Sequence, residues 1–199
     1  MKKKIFITLL GLLIITGCAT NNASFKKGSL LAQTTSGGCV EFERYGNSDL
    51  DNFLQSSYDD CNLLISSHEK IIEINDFVED PAGWMATEVS KATSPYKQQL
   101  KSAAYIASNR DEAMRALKIA FVKKINVEIL KELESAAERS SNTLSDSVNA
   151  RKVALGLSGL KKLSGFKDIA LAVNSYKKLS DLNLQLQAMA SRLVGDLKI

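Results

Sequence analysis

Apolar positions in this chain recur every three or four residues over long stretches, and each stretch predicts a helix. The clearest lies at the C-terminus, where Leu179, Leu182, Leu186, Met189 and Leu193 form a seam of a/d spacing. Phe166, Ile169, Val173 and Tyr176 extend it upstream. A second run, Met114, Leu117, Phe121, Ile125, Ile129 and Leu133, predicts a helix that reaches about Leu144. Asn109 followed by Glu112 gives that helix a capping-box start. A third helix is predicted from Ser48, whose hydroxyl can cap it, with Asp49 and Asp51 near the positive end of the dipole. It sets Leu50, Phe53, Leu54, Cys61, Leu64, Ile65, His68, Ile71 and Ile72 on one broad face. Asp80-Pro81-Ala82-Gly83 breaks the pattern, and Ser94-Pro95 reopens a helical segment through about Ala107. Only Val40-Glu41-Phe42-Glu43 alternates as a strand does, and it has no evident partner. The prediction is an all-α fold, an antiparallel helical bundle in which each apolar stripe covers another.

The first 38 residues follow neither period. Lys2, Lys3 and Lys4 precede a largely apolar run from Ile5 to Ile15, too short to cross a bilayer, which takes about 20 apolar residues. A cationic start, a short apolar segment and small residues before a cut are the parts of a secretory signal peptide. Its end, Ile15-Thr16-Gly17-Cys18, resembles the lipobox of bacterial lipoproteins, with Ile15 in the leucine place and Thr16 in the small-residue place. The resemblance implies cleavage before Cys18, diacylation of its sulfur and acylation of the new amine. Each buried acyl CH₂ contributes ~0.8 kcal/mol, and two chains are enough for stable anchoring. Ala19-Thr20, with no aspartate after the cysteine, resembles the outer-membrane class of Gram-negative lipoproteins. The implied location is the bacterial cell envelope, at the outer membrane. The chain thus divides into a signal peptide (1–17), a lipidated flexible tether (18–38) and a helical domain (39–199). A flexible tether of about 20 residues has an r.m.s. span of roughly 25 Å.

Charge and cysteines sharpen this picture. The formal net charge is +4, and Lys2, Lys3 and Lys4 supply three of those charges. Without them the chain is close to neutral and lacks the basic face that nucleic acid requires, so no nucleic-acid partner is expected. Of the three cysteines, Cys18 goes to lipid. Cys39 and Cys61 remain as an even pair outside the cytoplasm, where disulfides persist, and they are predicted to bond. Closing that loop of about 20 residues contributes on the order of 3 kcal/mol.

Reactive constellations are lacking in the sequence. The single histidine, His68, falls on the apolar side of its helix and reads as a core residue. It has no companions for a zinc site, and no Gly-x-Ser-x-Gly elbow accompanies it. Gly159 to Gly165 is followed by Phe166 rather than by the Lys-Ser/Thr of a phosphate loop. Glu69 and Glu73, one turn apart, read as a solvated surface. No catalytic residue, metal or cofactor is expected. Val153 to Phe166 is less ordinary, interleaving Gly156, Gly159 and Gly165 with Leu155, Leu157, Leu160 and Leu163. It is predicted to connect two bundle helices, its glycines ending one and restarting the next. Leu160, Lys161, Lys162 and Leu163 are its candidate contact with membrane or partner, the leucines entering the interface while lysines face anionic lipid. The expected function is non-enzymatic binding or scaffolding of another envelope protein through a membrane-anchored domain. The plan is loosely similar to that of pilotins, small disulfide-linked helical lipoproteins that escort secretin subunits, although no residue-level motif carries the likeness. A membrane-active or lipid-binding protein is the alternative.

Overall fold

The computed structural model describes residues 39–198. The expected signal peptide, the expected lipidation site Cys18 and the expected tether lie outside the described residues.

The first helix, α1 (Ser48–Glu79), is capped one residue earlier than the sequence suggests. Asn47 keeps an extended backbone, and its Oδ1 accepts from the N–H groups of Asp49 (3.0 Å) and Leu50 (3.4 Å). Ser48 is already helical. Asp51 serves the incoming chain, accepting from the N–H of Tyr45 (2.7 Å) and of Gly46 (3.0 Å). At the other end Asp80 closes α1 and caps α2 (Pro81–Ser90) by accepting from Gly83 N–H at 3.0 Å. Pro81 fills the first helical position, where its missing donor costs nothing. A Cβ at Gly83 would stand 2.1 Å from Asp80 Oδ2, so a larger residue there would push the capping carboxylate aside.

Ser94-Pro95 does not open a helix directly. The buried Ser94 hydroxyl donates to Glu88 (2.8 Å) and accepts from Tyr96 N–H (3.2 Å), shaping a turn. Two short helices follow, α3 (Lys97–Leu100) and α4 (Ala103–Ser108), parted at Lys101, whose φ of 52° ends the first. The capping box is also not made. Asn109 turns its side-chain amide back to donate to Tyr105 C=O at 3.2 Å. The long middle helix runs as α5 (Arg110–Lys124), a π-helical segment Ile125–Ile129, and α6 (Leu130–Ser141). It then breaks at Asn142 before α7 (Thr143–Gly156). The last helix, α8 (Gly159–Asp196), is 38 residues long. Gly156 and Gly159 end and restart helices as expected, but Gly165 lies inside α8. Val40–Glu43 forms no strand; among the described residues every regular element is helical.

Contacts between residues far apart in sequence fix the topology. Lys70 pairs with Glu132 and Asp60 with Arg139, so α1 and α6 run antiparallel. Tyr45 meets Asp168 and Phe53 meets Tyr176, so α8 returns parallel to α1. The bundle therefore has three strokes, α1 up, α5 to α7 down and α8 up, with α2 to α4 crossing over at the far end. Each stroke buries the stripe of another. Leu64, Ile71, Phe77, Leu117, Phe121, Leu182, Leu186 and Leu193 belong to the larger cluster. A second cluster joins Tyr45, Leu50, Phe53 and Leu54 to Ala150, Ala154, Ile169 and Tyr176 near the α7–α8 turn. Leu179, Leu182, Leu186 and Leu193 of the C-terminal seam are buried; Met189 is half-buried, and Ala190 takes the interior place beside it. Cys39 and Cys61 are joined, with Cα atoms 5.7 Å apart, which pins the start of the described chain to the side of α1.

Candidate functional site

Two surfaces stand out, one on each side of the disulfide along the bundle. The first is an open groove of about 1000 Å³ between α1 and α2. Glu69, Glu73, Asp76 and Glu79 line it from α1 at helical spacing, and Trp84 and Glu88 line it from α2. The Asp80 turn folds α2 back against the end of α1, which brings these residues together.

The groove rests on an aromatic cluster. Trp84 stacks edge-on to Phe77 (5.4 Å), Phe121 (5.3 Å) and Tyr96 (5.1 Å), tying α1, α2 and α5 through one side chain. Behind it Lys124 reaches Glu73 (2.8 Å) and donates to the Tyr96 hydroxyl (2.9 Å). Burial works against the Lys124 charge, but Glu73 and Tyr96 outweigh it and hold its pKa above the usual lysine range. Burial pushes the Tyr96 phenol up to about 12. Glu73 is thus half of an inter-helix ion pair, not the solvated carboxylate expected from its spacing. Glu79 accepts from Asn75 (2.9 Å), and the buried Glu88 accepts from Ser94 and pairs with Lys91. Several of the groove's carboxylates are therefore held in structural bonds. His68 is buried at the groove's floor, as expected for a core residue, and desolvation lowers its pKa against the opposing pull of Glu69. Among the described residues no group of three or more His, Cys, Asp and Glu could hold a metal ion. Lys70 and Lys91 also line the groove, whose wall is acidic in balance.

The second surface is the α7–α8 turn. Leu160 and Leu163 are 82% and 69% exposed, and Leu155 is 59% exposed across the turn. Lys161 is exposed beside them, whereas Lys162 is half-buried. Leu157, between the exposed leucines, packs inward against the second core cluster. No described helix is long and apolar enough to cross a membrane.

The groove was missed in the sequence because it depends on how α2 folds back on α1. Its only sequence signal was the recurrence of Glu69, Glu73, Asp76 and Glu79 along one helical face. No protein-family model, curated protein or solved structure matches this chain.

Proposed function

We propose that this chain is a lipid-anchored protein of the bacterial cell envelope, at the outer membrane, that acts by binding another envelope protein rather than by catalysis. The observation that carries this reading is the way the anchor joins the domain. Cys18, in its lipobox setting, is followed by a polar tether that ends at Cys39, and Cys39 is bonded to Cys61 on α1. Force on the anchor would pass through that bond into the helix that packs against both other strokes, not into a fraying terminus. The open acidic groove then offers itself to a partner on the part of the bundle beyond the disulfide. The pilotin-like reading rests on the same plan, and no residue of the bundle favours it further.

Two experiments test the two halves. Metabolic labelling with palmitate should mark the wild-type chain and vanish in Cys18→Ser; undiminished label in the variant would remove the anchor. A photo-crosslinking residue at exposed Thr87, on the groove, should trap one discrete envelope protein in cells, while one at exposed Leu184 traps none. Indistinguishable patterns from the two positions would remove the groove as the binding surface.

A further inference from the structure

We propose that the α7–α8 turn is a second membrane contact, docking the domain on the anionic surface of the same bilayer that holds its anchor. The proposal rests on the lipid-anchored reading above and adds an orientation to it.

Three observations carry it. The first is apolar exposure without a partner. Leu160, Leu163 and Leu155 lie on one hairpin, and they are among the most exposed large apolar side chains of the described residues. Neither Gly156 nor Gly159 has a neighbour within 4 Å of where a Cβ would stand, so the turn projects into open space. Gly159 takes φ 57°, which lets the chain reverse there without a side-chain clash. A tip of leucines over a compact bundle is the shape that enters a headgroup layer.

The second observation is charge. Between Asp146 and Asp168 the chain carries Arg151, Lys152, Lys161, Lys162 and Lys167 and no carboxylate. Asp168, which accepts from the Tyr45 hydroxyl at 2.7 Å, keeps its charge but is half-buried and lies nine residues along α8 from Gly159. The other carboxylates of this end sit on the incoming chain and the first turn of α1, as Glu41, Glu43, Asp49 and Asp51, not on the turn itself, and Asp51 is bonded to backbone N–H groups. In a nearly neutral protein this is a local cationic tip. Juxtaposed with exposed leucines, it matches an anionic interface, where each basic residue near the surface adds attraction.

The third is reach. Cys61 lies 13 residues into α1, about 20 Å from its start at 1.5 Å per residue. α8 runs six residues outward from Gly165, which packs beside Tyr45, adding about 9 Å. The tip therefore stands roughly 30 Å from the level of Cys39 along the bundle. Twenty residues separate Cys18 from Cys39, and a chain of that length can reach at most about 65–70 Å. That length exceeds the distance to be covered, so anchor and tip can meet the same bilayer, and the groove then faces away from it.

The test uses the mature, acylated protein reconstituted on vesicles. An environment-sensitive fluorophore is placed on Ser158→Cys at the tip, and separately on Gln185→Cys midway along α8. Both sites are exposed, and the native cysteines are occupied by lipid or disulfide. On phosphatidylglycerol-containing vesicles the tip label should shift to the blue and lose access to an aqueous quencher, while the Gln185 label should not. Leu160→Ser with Leu163→Ser, or Lys152→Glu with Lys161→Glu, should restore quenching at the tip, with Trp84 fluorescence unchanged as a check on folding. If the protein floats through its anchor while both labels stay equally quenched, the turn proposal falls and the anchor stands. If nothing floats, both fall. Equal protection on neutral phosphatidylcholine vesicles overturns the charge-guided docking. Protection that grows with protein concentration without vesicles assigns the turn to a second copy and likewise overturns it.

Discussion

Asp60 and Arg139 form an ion pair between α1 and α6, and the pair is lopsided. The Asp60 side chain is 3% exposed and that of Arg139 is 45% exposed. Arg139 Nε donates to Asp60 Oδ1 at 2.7 Å and the Tyr176 phenol also favours the carboxylate's charge, while Oδ2 is buried without a well-formed hydrogen bond. Desolvation therefore raises the Asp60 pKa even though Arg139 pulls it down. Removing Arg139 strands a carboxylate in the core, whereas removing the carboxylate leaves an arginine that water can reach. Arg139→Met should cost about 3–5 kcal/mol, and Asp60→Asn should cost less, about 1–2 kcal/mol. Urea denaturation followed by Trp84 fluorescence decides, and equal costs would contradict this asymmetry. The Arg139→Met deficit should also shrink in acid, since a carboxyl with a raised pKa protonates early as pH falls. His68 works in the opposite direction. Its folded pKa lies below 6.5 because burial disfavours the imidazolium. As pH drops through 6.5, the unfolded chain gains a proton that the folded His68 resists, so stability is lost over that window. Denaturation midpoints at about pH 7 and about pH 5 should therefore fall further for wild type than for His68→Gln. A parallel decline in both proteins would exclude His68 as a source of acid lability.

The middle helix shows how an element reconciles its own spacing with its neighbours. Leu117, Phe121, Ile125, Ile129 and Leu133 are all fully buried and follow one another every fourth residue. In an α-helix each four-residue step overshoots a turn by about 40°, so four steps would carry the stripe about 160° round the helix. The π-helical segment at Ile125–Ile129 inserts the equivalent of one extra residue, about 100°, and returns the stripe towards α1 and α8. Deleting Val127, which is half-exposed within that segment, should convert it to regular α-helix and leave both flanking faces in place. The variant should unfold cooperatively, within the roughly 0.5–3 kcal/mol of ordinary point changes. Deleting Glu134 from α6 should instead rotate Ala136 and everything beyond it by about 100° and abolish the cooperative transition. Similar behaviour of the two deletions, read by calorimetry, would show that the π segment absorbs nothing. The even spacing was visible in the sequence; the segment that accommodates it was not, because it answers to packing against two other helices.

At the scale of the whole molecule, the C-terminal seam belongs to the bundle's own core. Leu186 is fully buried among residues of all three strokes. Leu186→Ala should cost about 2–5 kcal/mol through lost burial and a cavity. A change below about 0.5 kcal/mol, typical of surface positions, would make the seam a partner surface instead. The all-α class, the long first and last helices, the Asp80-Pro81 break and the cysteine pair were all legible in the sequence. Each rests on local physics: a repeated apolar period, a proline without a donor, or an even number of thiols. Expectations failed where a residue had a competing partner in space. Asn47 took the cap assigned to Ser48, and Asn109 turned to Tyr105 instead of forming its box. Glu73 found Lys124 across the bundle. The glycine-leucine stretch was legible as a connection, yet only the fold left Leu160 and Leu163 in the open while drawing Leu157 and Gly165 inside. The sequence alone determined which residues seek burial and where helices stop. Tertiary structure decided which apolar residues went without cover, because covering one stripe with another is settled between helices and not within any one of them.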